Sequence, residues 1–482
     1  MNICFVASEV APFAKTGGLA DVSGALPKYV SLRGCDTRVF TPFYSTTPGN
    51  YDLQPVDYLQ NVPVRVGNRD ETFSVMTTKL PGSDVDVYMI VAPHLYARGT
   101  VYTDHADEYM RFYFLSHAAL VCCQHMGWGP DIVHCNDWQT SLIPLLLRTT
   151  FHWDAMFKST RTVLTIHNVA YQGIFPARVL HDIGLWDYRH LFFQDDLADG
   201  IINYLKSGIV YADILTTVSR TYAHEIQTPE HGAGLESLFR RRGGALVGIV
   251  NGIDSDEWNP ETDALLPFHF TSDDRAGKQL NKENVVSRMN LPVRPDVPVM
   301  GVVSRLTSQK GFDLFPDCID AILARYDAQM IVLGSGEKVY EEFFARLEGR
   351  HPGRVRFYRG FSNELAHLIE AGADIFLMPS KFEPCGLNQL YSLRYGTIPV
   401  VRKTGGLADT VEQFDPETRE GTGFVFEHFT AEGLSWGVER ALRTYIFDKD
   451  AWNVLVSNAM KRDFSWEHQV SEHLAVYTRL TM

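Results

Sequence analysis

Arg305 and Lys310 share one short segment, SRLTSQKG (Ser304–Gly311), at the end of the apolar run PVMGVVSRL, which reads as a buried strand. Two cations in a loop at a strand end suit a diphosphate: arginine binds it bidentately and lysine acts as a point charge. FEPCGLNQL (Phe382–Leu390) follows a second apolar run, DIFLMPS. Glu383 can accept hydrogen bonds from sugar hydroxyls there, and Gly386 can open a helix whose amides face phosphate. A glutamate at that point also serves as a helix cap. The heptapeptide KTGGLAD occurs twice, at Lys15–Asp21 and Lys403–Asp409. Each copy follows a strand-like run and can open a helix. Its glycine pair lets backbone amides approach an anion closely, and its lysine adds charge. A tight strand-to-helix turn accounts for the glycines equally well. His167 and Asn168 in TIHN, and Asp137 in HCNDW, also follow strands. With Glu9 and the first KTGGLAD they gather on one predicted sheet edge.

These residues need a scaffold that collects strand ends. ICFVAS, TRVFTP, DVDVYMIVAP, DIVHCND, RTVLTIHN, DILTTVS and LVGIVNGID read as strands in the first half. LADVSGALPKYVSLRG, the long DEYMRFYFLSHAALVCCQHM, expected to be amphipathic, and WQTSLIPLLLR read as helices between them. From Val299 the pattern restarts with PVMGVVSRL, QMIVLGSGE, RVRFYRG, DIFLMPS and TIPVVRK as strands, and GFDLFPDCIDAILARY as a helix. The alternation predicts two α/β domains with parallel, doubly wound sheets and ligands at the carboxyl ends of the strands. We expect a first domain over 1–253, a second over 254–460 and a terminal helix over 461–482.

The chain has 482 residues, 45% of them hydrophobic and 21% charged, with a formal net charge of −14. Such length exceeds a single core. An acidic chain is a poor nucleic-acid binder, because that binding needs surplus Lys and Arg. Seven cysteines lie without CxxC or Cys/His spacing, which reads as reduced thiols in a cytoplasmic protein. No signal segment and no membrane-spanning run is expected. LGSGE (Leu333–Glu337) lacks the GxGxxG spacing of a dinucleotide loop, which counts against a dehydrogenase. Neither HExxH, GxSxG nor GxxxxGK[ST] occurs. No metal is expected, since Lys15, Arg305 and Lys310 can neutralise a leaving diphosphate.

The segments KTGGLADVSGALP, HCNDWQT, TIHNVAYQG, NGIDSDEWNP, SRLTSQKG, PSKFEPCGLNQLYSLRYGTIPVV and KTGGLADTV, in order along the chain, closely resemble bacterial glycogen synthases and plant starch synthases. The resemblance implies a GT-B fold, two Rossmann-like domains facing across a deep cleft, with the last helix crossing back to the first domain. It implies transfer of glucose from ADP-glucose, or UDP-glucose, to the non-reducing end of an α-1,4-glucan, with retention and without metal or cofactor. Arg305 and Lys310 would then hold the diphosphate, and Glu383, Cys385, Gly386 and Leu387 would surround the donor. Gly405 and Gly406, after Thr404, would offer amides to the distal phosphate. Lys15 and Gly18 would approach the phosphates as the cleft closes, and His167 would contact the transferred glucose. Glu9, Asp21, Tyr96, Asp137, Asn168 and Asn251 would lie on the acceptor and sugar side. On this reading the two KTGGLAD loops grip one donor. Two departures stand out. Tyr391 occupies the place where related nucleotide-sugar transferases often carry a second glutamate, and Asn388 stands where many family members have threonine. The first counts against a sucrose synthase-like enzyme with a small acceptor; the second bears on donor affinity. An inactive glucan-binding protein would have lost Lys15, Arg305, Lys310 or Glu383, and all four are present.

Overall fold

The computed structural model describes residues 1–482. They form two compact units, residues 1–252 with 466–482, and residues 253–465. The returning segment therefore starts at Trp466, and residues 461–465 stay with the second unit.

The strands of the first unit are β1 (Asn2–Val6), β2 (Asp36–Pro42), β3 (Gln54–Pro55), β4 (Val62–Val66), β5 (Arg69–Lys79), β6 (Asp86–Val91), β7 (Ile132–Asn136) and β8 (Arg161–Ile166). After a small ribbon of β9 (Ile174–Pro176) and β10 (Ile201–Asn203) come β11 (Ile214–Thr217) and β12 (Leu246–Gly248). The sheet order is β12-β11-β8-β7-β1-β2-β6-β5-β3, with β4 on β5. From β12 to β6 every pairing is parallel. The β3–β5 edge is antiparallel, which corrects the all-parallel expectation. The missed hairpin was signalled by alternating VPVRV and by Gly67–Asn68 between two runs.

A second correction concerns the helix Glu108–His125, which is buried almost all round rather than amphipathic. Its charged residues pair internally. Fully buried Arg111 donates to both Glu108 carboxylate oxygens at 2.8 Å and to the carbonyls of Leu95 and Val101. A charge survives in a core only when its donors are satisfied in this way.

The second unit holds β13 (Val299–Leu306), β14 (Gln329–Gly336), β15 (Val355–Arg359), β16 (Ile375–Met378), β17 (Ile398–Arg402) and β18 (Phe424–Phe426). Their order is β15-β14-β13-β16-β17-β18, parallel throughout. The expected helix over GFDLFPDCIDAILARY divides into a 3-10 turn, Phe312–Asp317, and an α-helix, Ile319–Arg325. Pro316 supplies no N–H for a continuous ladder.

The terminal helix Trp466–Thr481 packs on the first unit. Trp466 and Tyr477 are buried, and the Tyr477 hydroxyl lies 2.6 Å from His134 Nδ1 on β7.

Among the parallel strands, the order reverses once in each sheet. β1 lies between β2 and β7, and β13 lies between β14 and β16. In open α/β sheets, ligands bind beyond the carboxyl ends of the strands at such a reversal.

Candidate functional site

Every residue singled out for phosphate or sugar chemistry except Tyr96 and Asn251 sits at the carboxyl end of a strand at a reversal or within two places of it. In the first unit, Glu9, Lys15, Gly18 and Asp21 follow β1, Asp137 follows β7, and His167 and Asn168 follow β8, on three adjacent strands. In the second, Arg305 lies at the end of β13 and Lys310 in the 3-10 turn after it, Glu383 through Leu387 follow β16, and Thr404 through Gly406 follow β17.

Glu9 organises the first KTGGLAD loop. Its buried carboxylate accepts from the Thr16 amide, from Thr16 Oγ1 at 2.8 Å, from the Gly17 amide at 3.3 Å and from the Tyr102 hydroxyl at 2.5 Å. Burial raises its carboxyl above the usual range, while these donors pull it back. Both Glu9 oxygens are thereby engaged by the loop and by Tyr102. Lys15 is half exposed and lies 2.5 Å from Asp21 Oδ1. Burial raises the Asp21 carboxyl, opposed by Lys15. Gly18 opens the helix Gly18–Leu32 and is exposed.

Asp137 adopts a positive φ of 54° and accepts from the amides of His167 at 2.7 Å and Asn168 at 3.4 Å. Burial pushes its carboxyl up to about 7, against those amides. It shapes the His167 turn, and Asn168 Oδ1 closes that turn by accepting from the Ala170 amide. The His167 ring is held by Asn136, whose Oδ1 lies 2.9 Å from Nε2. Burial pushes this imidazole down to about 3, so it is neutral near pH 7. Tyr96 is fully buried and donates to the Arg111 carbonyl at 2.8 Å, which removes it from any surface a glucan could touch. Asn251 is buried in the segment after β12.

In the second unit, Arg305 is exposed and its guanidinium has no side-chain or carbonyl partner. Lys310 Nζ lies 2.6 Å from Glu383 Oε2, which also accepts from Ser380 Oγ at 2.9 Å. Gly311 makes that approach possible. Its φ is +78°, and a Cβ there would lie 2.0 Å from the Pro379 carbonyl oxygen. Cys385 is buried. Gly386, at φ +76°, precedes rather than opens the next helix, which runs Asn388–Arg394 after Leu387. Asn388 Nδ2 donates to the Val303 carbonyl at 2.6 Å, tying that helix to β13. Tyr391 stacks on Trp258 with ring centroids 3.7 Å apart, and His367 stacks on the same indole.

The second KTGGLAD loop differs from the first. Thr404, Gly405 and Gly406 are buried against the FEPC segment. The Gly406 amide donates to the carbonyls of Glu383 and Pro384, so it is not free for phosphate as expected. Among the partners that surround the expected residues, Asn136, Tyr102 and Ser380 were not anticipated. Asn136 and Ser380 stand inside quoted motifs, whereas nothing in the sequence around Tyr102 marks it. No group of three or more His, Cys, Asp or Glu side chains is placed to hold a metal ion.

A family model described as starch synthase catalytic domain matches residues 2–241, and one described as glycosyl transferases group 1 matches residues 287–455. The glycogen synthase of Desulforudis audaxviator is 45% identical, covering 99% of this chain and 96% of its own. The chain belongs to the glycogen and starch synthase family. The glycogen synthase of Thermotoga maritima is 43% identical, over 99% of each chain. Among solved structures, the catalytic domain of starch synthase IV from Arabidopsis thaliana, bound to ADP and acarbose, superposes with a TM-score of 0.92. It shares 34% identity over 99% of each chain. As a family member the protein is a hexosyltransferase with the GT-B fold, two Rossmann-like domains. No helix is long and apolar enough to cross a membrane.

Proposed function

We propose that this protein transfers glucose from ADP-glucose to the non-reducing end of an α-1,4-glucan, retaining configuration, in the cytoplasm and without a metal or cofactor. The observation that carries the reading is the full-length likeness to a starch synthase captured with ADP and acarbose. Arg305, Lys310 and Lys15 are assigned to the donor diphosphate. The three start from different states: Arg305 has no partner, Lys310 pairs with Glu383, and Lys15 pairs with Asp21. Donor binding exchanges the two carboxylates for phosphate oxygens, leaving Glu383 and Asp21 free to accept from sugar or ribose hydroxyls. Positive charge at the leaving diphosphate lowers the barrier most where charge develops. No dedicated nucleophile is assigned. The acceptor hydroxyl oxygen bonds to C1 of the glucose on the same face from which the C1–diphosphate bond breaks, and the leaving diphosphate takes the acceptor proton, with the reactants held close together.

The test supplies purified protein with glycogen, EDTA, and either ADP-glucose or UDP-glucose. Nucleoside diphosphate release and growth of α-1,4 chains are followed together. Turnover with ADP-glucose in EDTA supports the proposal. Turnover only with UDP-glucose overturns the donor, loss in EDTA overturns metal independence, and release without chain growth overturns the acceptor.

A further inference from the structure

Asn136 is the last residue of β7, fully buried, and takes no part in the reading above. Its amide bridges two neighbouring strands. Nδ2 donates to the Val6 carbonyl of β1 at 3.0 Å, and Oδ1 lies 2.9 Å from His167 Nε2, just past β8. The backbone around it is pinned as well. Its amide donates to Thr140 Oγ1 at 2.5 Å, and Thr140 Oγ1 donates to its carbonyl at 2.9 Å.

The orientation of an amide group is decided by its partners. A carbonyl only accepts, so Val6 requires the NH2 end of Asn136. The opposite orientation would set two oxygens against each other in a dry site, at the cost of a buried unmade hydrogen bond. With Nδ2 committed to Val6, Oδ1 faces the imidazole, and Oδ1 can only accept. His167 Nε2 must therefore carry the proton. A neutral ring has one N–H, so Nδ1 is left as a lone pair, and Nδ1 has no partner within the protein.

We propose that Asn136 is a positioning residue that fixes His167 as its Nε2-protonated tautomer, so that Nδ1 accepts a hydrogen bond from a hydroxyl of the transferred sugar. This rests on the assignment of His167 to the sugar. It excludes His167 as a hydrogen-bond donor to the diphosphate and as a general acid. The neutral state fits the dry surroundings that push this ring down to about 3. Asn136 thus selects hydroxyl over phosphate at that point of the site, through a carbonyl of the strand that carries the Lys15 loop.

The experiment reads the tautomer directly. Long-range proton–nitrogen NMR spectra are recorded near pH 7 on histidine-labelled full-length protein, with His167 assigned by its loss in His167→Gln. The expected result is a protonated Nε2 and an unprotonated Nδ1. In Asn136→Leu the same signal should move to the other tautomer or to a mixture, while Asn136→Asp, which still accepts, should keep Nε2 protonated. A protonated Nδ1 in the unmodified protein overturns the proposal, and needs no variant beyond the His167→Gln used for assignment. An unchanged tautomer in folded Asn136→Leu overturns it too, because a merely structural asparagine would alter melting without altering the ring. Activity separates the underlying reading. Asn136→Leu should lose roughly ten-fold in kcat/KM for the sugar donor, the worth of about one hydrogen bond. A correct tautomer with full activity in His167→Gln would leave the ring chemistry standing but remove His167 from the sugar, and with it the proposed role.

Discussion

The two KTGGLAD loops should respond oppositely to a single methyl group. In the second copy Gly405 has φ +42°, and an added Cβ would lie 2.0 Å from the Glu383 carbonyl oxygen and 2.9 Å from its carbon. At Gly406 a Cβ would lie 2.1 Å from the Cys385 carbonyl oxygen. Those neighbours are backbone and cannot swing away. For Gly405→Ala the left-handed φ costs about 1–3 kcal/mol, and overpacking costs about 1–3 kcal/mol. The sum corresponds to a fall of roughly 4–24 °C in the melting of the second unit. In the first copy, a Cβ on Gly17 meets nothing within 4 Å. Gly17 is an N-cap with extended φ, −161°. Replacing it by alanine loses up to about 1 kcal/mol of capping and regains about 0.4–1 kcal/mol of chain entropy. Gly17→Ala should therefore melt within a few degrees of the parent.

Its activity should not be spared. Gly17 lies two residues from Lys15, which the proposed function assigns to the donor diphosphate, and displacing a bound group by about 1 Å can cost 10²-fold. Gly17→Ala should lose ten-fold or more in kcat/KM with ADP-glucose while its fold survives. Thermal melting and steady-state kinetics on Gly17→Ala, Gly405→Ala and the parent decide the matter. Equal destabilisation by both substitutions would refute the contrast in packing. A stable, fully active Gly17→Ala would refute the phosphate role.

Arg305 and Lys310 should separate in the same manner. Arg305→Ala should stay within about 0.5 kcal/mol of the parent in denaturant melts, since an exposed side chain without partners supports little, yet lose activity. Lys310→Ala should lose activity and also about 2–4 kcal/mol, because it strands the buried Glu383 carboxylate. Acid stability of the first unit should depend on His473, whose ring nitrogens are buried without partners and whose imidazole burial pushes down to about 4. A depressed base contributes stability that is intact above pH 6.5 and is lost as pH falls toward 4. At pH 5 the loss is about 2 kcal/mol for this ring. His473→Phe should remove that share in urea titrations at pH 7 and pH 5, and an unchanged pH dependence would contradict it.

Much of this architecture could be read from the chain because apolar runs ending in polar loops leave few alternatives. β1, β7, β8, β13, β16 and β17 each appear where such a run predicts a strand, and within each sheet their order brings that sheet's quoted loops to one edge. The antiparallel edge is less legible because β4 and β5 alternate apolar with polar residues and lack the continuous apolar run that marks the buried parallel strands. The helix Glu108–His125 misled because its charges suggest a solvent face, whereas Arg111 and Glu108 cancel inside the core. The break at Pro316 was visible in the sequence and was outweighed by the surrounding helical spacing.

The placement of these residues at strand ends was legible, and which partner each would take was far less so. A carboxylate at the end of a strand is equally suited to a sugar hydroxyl and to its own loop's amides, since both are hydrogen-bond donors. Which it meets depends on how many amides the following turn aims back at it, and that is a property of backbone path. At Glu9 the turn returns the amides of Thr16 and Gly17, and at Asp137 it receives those of His167 and Asn168. Both carboxylates thus hold the loops that carry Lys15 and His167. At Glu383 no such amides reach the side chain, which takes a lysine and a serine hydroxyl instead. Those two partners can be exchanged for ligand groups without unravelling a loop, whereas loop amides cannot. By that criterion Glu383 and Asp21 are the carboxylates whose partners a ligand can replace, and Glu9 and Asp137 are the ones that hold the loops of Lys15 and His167.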